Sequence, residues 1–111
     1  MKNFTAIYLA PVDTLTEWMQ KPEAERKEAE GKMQQEWGAW LSEHKEAVLN
    51  TISLGSTKRV SQSGIEDAKN GMMLSSYVAA ESLEAAAEIF KNHPHLGIPG
   101  ATIEIMEARQ I

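Results

Sequence analysis

The stretch from Gly71 to Glu107 does most to limit what this chain can fold into. Met72 to Ala79 (M-M-L-S-S-Y-V-A) reads as a strand, with Met72, Leu74, Ser76 and Val78 on one face and Met73, Ser75, Tyr77 and Ala79 on the other. Ser82 is a good helix N-cap, and Leu83, Ala86, Ala87 and Phe90 behind it form a narrow apolar stripe. Lys91, Asn92 and His93 suit the end of that helix, and Pro94 stops it. Gly97-Ile98-Pro99-Gly100 then turns the chain into a last strand, Thr102 to Met106. Strand, helix, histidine-bearing turn and strand make half of a small α+β sandwich, and the residues before Gly71 must supply the other half.

Phe4 to Leu9 (F-T-A-I-Y-L) is rich in β-formers and ends at Ala10-Pro11, so it reads as a first strand. Its two faces are Phe4, Ala6, Tyr8 and Thr5, Ile7, Leu9, neither of them polar. Thr14 to Glu17 has the spacing of a capping box and predicts a short helix carrying Leu15, Trp18 and Met19, interrupted at Pro22. Pro22 fits the first position of a further helical run whose opening acids, Glu23 and Glu25, suit the positive end of the helix dipole. Gly31 either breaks or weakens that run. Beyond it Met33, Trp37, Trp40, Leu41, His44 and Val48 share one stripe, opposite Lys32, Gln35, Glu36, Glu43 and Glu46, which puts His44 on the buried side. From Val48 to Ser61 the period changes, and Gly55 divides one bent strand or two short ones. Ser61 to Gly71 is polar and bounded by glycine, the pattern of a mobile loop.

The order strand, helix, strand or hairpin, strand, helix, strand is that of a ferredoxin-like split βαββαβ arrangement: a four-stranded antiparallel sheet with its helices on one face. All 111 residues fit one domain, long enough to bury roughly two thirds of the surface of its unfolded chain without staples. The sheet's second face is too apolar to stand in water, so a homodimer with the two sheets face to face is expected. The chain has no cysteine, which removes disulfides and thiolate chemistry and fits a reducing compartment. A net charge of −5 without clustered Lys and Arg argues against nucleic-acid partners. No apolar run approaches the ~20 residues of a membrane span, and the start has no signal-peptide pattern, so a soluble cytoplasmic protein is expected.

The segments S-Y-V-A-A-E-S-L-E-A-A-A-E-I-F, H-P-H-L and P-G-A-T-I-E-I, with W-G-A-W-L on the long helix, resemble the YCII-related family, including its DGPF-type branch. The resemblance spans about Phe4 to Glu107 and implies a dimeric α+β barrel of largely uncharacterised function. In the better-described branch, it implies an acid/base or nucleophilic role for a histidine on the first long helix, paired with an aspartate just before the proline after the second helix. This chain departs at both places. His93 precedes Pro94, and the long helix offers only His44 near its end. The D-G-P-F motif is also missing, its approximate place taken by the stretch Gly64 to Gly71. No catalytic pair carries over, and His95 of P-H-L is the family-matched position.

Two readings therefore stand for each candidate. His95, in a turn beside the sheet edge, is a general acid or base, or it holds the turn by bonding a backbone carbonyl. Trp37 and Trp40, on the helix face they share with His44, either wall a small-molecule pocket or are plain core. Ser75, Ser76 and Tyr77 interrupt an apolar strand and need hydrogen-bond partners, across the dimer or in a ligand. His93, His95 and His44 supply the number of nitrogens a catalytic zinc commonly takes. Pro94 fixes the backbone between the first two, however, and only Glu88 lies near in sequence, so no metal or cofactor is assigned. Without a G-x-S-x-G elbow or an assignable base, a serine nucleophile is not expected.

These residues predict a cleft between helices and sheet that binds a small organic molecule and acts on it by cofactor-free acid/base chemistry. His95 and His44 are the catalytic candidates, and Trp37, Trp40, Ser75, Tyr77 and His93 line the pocket. The alternatives are a non-enzymatic ligand-sensing or regulatory module and, on the strength of the barrel alone, a cofactor-independent monooxygenase.

Overall fold

The computed structural model describes residues 1–111. Strand β1, Lys2–Leu9, lies in the middle of a four-stranded antiparallel sheet between β5, Met72–Ala80, and β6, Thr102–Glu107; β2, Val48–Ser53, pairs with the outer side of β5. The strand order β2-β5-β1-β6 is the ferredoxin-like one, and the fold class is α+β as the sequence order predicted. Helices α1, Val12–Met19, α2, Glu23–Glu43, and α3, Leu83–Ile89, complete it, with a 3-10 turn at Pro94–Gly97. None of the helices is long and apolar enough to cross a membrane.

Register settles which face is the core. Phe4, Ala6 and Tyr8 stand opposite Val78, Ser76 and Leu74 on one side of β1, and Ala6 and Tyr8 stand opposite Ile105 and Ile103 on the other. Trp40, Ala86 and Phe90 cover these side chains from the helices. On the far face Thr5 pairs with Tyr77 and Met106, and Ile52 with Ser75. There Ile52, Tyr77 and Met106 remain 51%, 44% and 43% exposed.

Four local expectations change. Helix α1 begins two residues before the expected cap at Thr14, because Pro11 (φ −59°) already sets the entry; the hydroxyl of Thr16 donates to the Val12 carbonyl at 3.0 Å. Gly31 does not break α2, which runs 21 residues through it. An exposed glycine costs a helix only about 1 kcal/mol, and here a Cβ would meet nothing. The apolar stripe shrinks accordingly: Trp40 is the buried residue of α2, with Trp37 and Leu41 packed beside it, while Val48 belongs to β2.

The remaining change concerns Ser61 to Gly71; before it, Val48 to Ser61 forms two short strands on either side of Gly55, one of the two forms expected. The region after β2 leaves the sheet, and β3, Thr57–Ser61, pairs with β4, Gly64–Ala68, as a separate hairpin. Half of the expected loop is thus strand. Gln62 and Ser63 make the turn, and Gly64 (φ 127°) takes a conformation that L side chains rarely adopt. Cross-strand pairs Lys58–Asp67 and Arg59–Glu66 line the hairpin. It rejoins the sheet at Gly71, whose carbonyl accepts from Ala10 N–H at 2.9 Å and where a Cβ would lie 2.3 Å from the Ala10 carbonyl oxygen.

Candidate functional site

The two histidines of H-P-H reach the core because of the turn between them. Pro94 opens the 3-10 turn, and His93 caps it: its Nδ1 accepts from the His95 backbone N–H at 2.9 Å. His95 in turn donates from Nε2 to the carbonyl of Leu9, the last residue of β1, at 2.8 Å. This bond is the backbone-holding role that one reading of His95 foresaw. The network puts a hydrogen on Nε2 of His95, and leaves His93 with a bare Nδ1 and its hydrogen on Nε2. Each ring therefore has one nitrogen engaged. The other, Nε2 of His93 and Nδ1 of His95, is buried without a partner.

The surroundings are aromatic. His93, 2% exposed, lies with its ring centroid 4.3 Å from those of both Trp37 and Trp40, in edge-to-face contact, and 5.1 Å from Tyr8. His95, fully buried, meets Tyr8 edge-on at 5.6 Å and lies 6.5 Å from His93. Burial, and after it the like charge of His95 and His44, lowers the pKa of His93 to about 4, so this imidazole is neutral at pH 7. No set of three His, Cys, Asp or Glu side chains converges as a metal would need.

A chain of hydroxyls forms the floor. Tyr8 Oη and Ser76 Oγ are 2.7 Å apart, and Ser76 Oγ and Thr51 Oγ1 are again 2.7 Å apart, linking three strands. Burial raises the Tyr8 pKa against the opposing effect of the bonds to Ser76 and Thr51, which keeps the phenol protonated.

The structure brings His93, His95, Trp37 and Trp40 together. His44 caps the end of α2 at the edge of the group, half-buried, with its ring 4.6 Å from Trp40, which separates it from His93. Ser75 and Tyr77 are not part of the group: they sit on the far face of the sheet, opposite Ile7 and Thr5. Their places are taken by Ser76 and Tyr8. Tyr8 went unnoticed as a site residue, although a tyrosine alternating with Phe4 and Ala6 on a buried face announces a hydroxyl in need of a partner. Thr51 gave no such signal. A separate groove of about 290 Å³ opens between α1 and the base of the hairpin, past Leu15, Met19, Thr57 and Met72.

No family model matches the chain, and no curated protein matches it by sequence. Among solved structures, the chain is similar to 5-chloro-2-hydroxyhydroquinone dehydrochlorinase from Burkholderia phenoliruptrix AC1100, determined in complex with 2,5-dihydroxybenzoquinone. The two share 15% sequence identity over 96% of this chain and 93% of the other, with a TM-score of 0.51. At that identity the likeness establishes a common α+β fold.

Proposed function

We propose that residues 1–111 form one YCII-like domain of a cytoplasmic homodimer that binds a small organic molecule against the His93–His95 turn. The observation that carries this reading is the pair of ring nitrogens, His93 Nε2 and His95 Nδ1, buried without partners inside an aromatic shell. Leaving such groups unpaired costs on the order of 1–3 kcal/mol each, and a bound molecule is one way of satisfying polar atoms in an apolar setting. His95 is the acid/base candidate and His44 a second polar contact; Trp37, Trp40 and His93 are the walls. The fold neighbour's quinoid ligand supports a ring-shaped guest.

The dimer has its own support. The chain exposes 8066 Å², where a compact monomer of this mass exposes about 6,100 Å². The surplus matches what one protomer of an obligate homodimer covers, and Ile52, Tyr77 and Met106 lie in the open on the free sheet face. Sedimentation at micromolar concentration should find a dimer.

A second reading, binding without catalysis, is favoured by the neutrality of His93 and by the absence of any carboxylate bonded to either ring. Tryptophan fluorescence decides whether the site binds at all. Titration with 2,5-dihydroxybenzoquinone, with controls for its own absorption, should give saturable quenching that is lost in His93→Phe. An unresponsive wild-type protein would remove the site. Turnover of a bound ligand that His95→Gln abolishes would select the enzymatic reading; binding without turnover would select the other.

A further inference from the structure

The β3–β4 hairpin stands clear of its own chain. Every residue from Lys58 to Asp67 is exposed, and only Thr57 and Ala68, at the foot beside α1, are half-buried. The hairpin is nevertheless fully formed, in unbroken register from Thr57–Ala68 to Ser61–Gly64. Two strands with neither face packed are marginal in water at best. The pairs Lys58–Asp67 and Arg59–Glu66 are exposed, so they add little. A structure of this kind calls for a surface to lie on.

Its tip shows what kind of surface. Val60 and Ile65 are cross-strand partners, so their side chains stand together on one face. They are 75% and 73% exposed, and apart from the terminal Met1 and Ile111 no large apolar side chain is more open. Below them Lys58 and Arg59 balance Glu66 and Asp67, which leaves the hairpin neutral in a chain of net charge −5.

Three observations identify the partner as a second copy. Two acidic copies repel over much of their surface, and a self-neutral arm is where they can meet without that repulsion. The shape is also that of half an assembly. The radius of gyration is 15.6 Å, against about 13 Å for a compact chain of this length, and the extents of 43 × 42 × 20 Å describe a plate. Its exposed area exceeds a monomer's by what one protomer of an obligate dimer covers. Lastly, the hairpin springs from β2 and β5, the strands that carry Ile52 and Tyr77 on the free sheet face. Strands of five residues reach about 17 Å from that foot.

Resting on the dimer reading above, we propose that the β3–β4 hairpin is a dimerisation arm that lays Val60 and Ile65 on a second copy of the chain. By twofold symmetry each chain gives one arm and receives one. The contact belongs to association and leaves the packing of the single chain untouched.

The test uses the full chain at micromolar concentration, with Tyr77→Glu as the monomeric control. Hydrogen exchange should find the amides of β3 and β4 protected in the wild-type dimer and at least about tenfold less protected in Tyr77→Glu. Val60→Asp combined with Ile65→Asp should weaken the dimer at least about tenfold by sedimentation, with near-UV circular dichroism and the protection of β1 and β5 as in the wild type. This second variant decides if Tyr77→Glu does not fold or does not dissociate. A hairpin equally protected in the monomer folds unaided, and the inference is overturned. It is overturned too by a hairpin unprotected in the wild-type dimer, or by a double variant that dimerises as tightly as the wild type; the arm then serves another protein or none, and the dimer stands. A wild-type chain that sediments as a monomer takes down the inference and the dimer reading together.

Discussion

On the helix side of the sheet Phe4, Ala6, Tyr8, Ser76 and Val78 are wholly covered, and the hydroxyls of Tyr8, Ser76 and Thr51 satisfy one another. On the other side Ile52, Tyr77 and Met106 keep about half of their surface in water. Both faces come from the same strands and are apolar to a similar degree. One is finished by the chain's own helices; the other is open in the single chain and is the face proposed above to meet a second subunit. Folding stability should therefore depend on the first face and association on the second.

The sharpest way to break that division is Phe4→Ala. A fully buried phenylalanine truncated in a packed core costs about 3–5 kcal/mol, and denaturant unfolding should show a loss of that size. Tyr77→Glu, by contrast, should leave the isolated fold nearly intact while shifting sedimentation from dimer to monomer. If it unfolds the chain, the two faces are not separable.

Acid provides a graded test of the closed face. His93 has a native pKa below its unfolded value, so below pH 6.5 the unfolded chain takes up a proton that the native one refuses. Its contribution is fully present above pH 6.5, falls as pH drops towards about 4, and is flat below that. At about 1.4 kcal/mol per pH unit the loss has a ceiling of about 3 kcal/mol. Melting temperature against pH should slope over that window, and His93→Gln should flatten it. Smaller again is Tyr8→Phe, which removes one of the two bonds of Ser76 but leaves that to Thr51; about 1 kcal/mol is expected. Least of all, Val60→Thr on the hairpin, at a position 75% exposed, should change stability by no more than about 0.5 kcal/mol.

The frame of the molecule was legible where composition and boundary residues agree. The runs of β-forming residues at Phe4 to Leu9 and Met72 to Ala79, with their bounding Pro11 and Gly71, announced the central strands, and Ser82 caps α3 as its position suggested, accepting from Ala85 N–H at 3.1 Å. Of the hairpin, the strand Thr57 to Ser61 was legible but its partner β4 was not, because their pairing joins residues such as Lys58 and Asp67, adjacent only once the register exists. In the site the same blindness exchanged neighbours. With both sheet faces apolar, nothing in the sequence says whether Ser75 and Tyr77 or Ser76 points inward, and a strand's period of two makes that choice absolute. The histidines were visible as a motif. Their division of labour was not, since it depends on the Leu9 carbonyl, 86 residues away from His95 in sequence.

The cap on the 3-10 turn carries one more consequence. The Nε2 of His93 already holds its hydrogen, so an incoming proton has only Nδ1 to occupy, the atom that receives the His95 backbone N–H. Ionising His93 and uncapping the turn are therefore a single event, and the grip of His95 on the end of β1 lies two residues downstream of it. The segment is fastened by a lone pair, and a lone pair is the one fastener that acidity alone can withdraw.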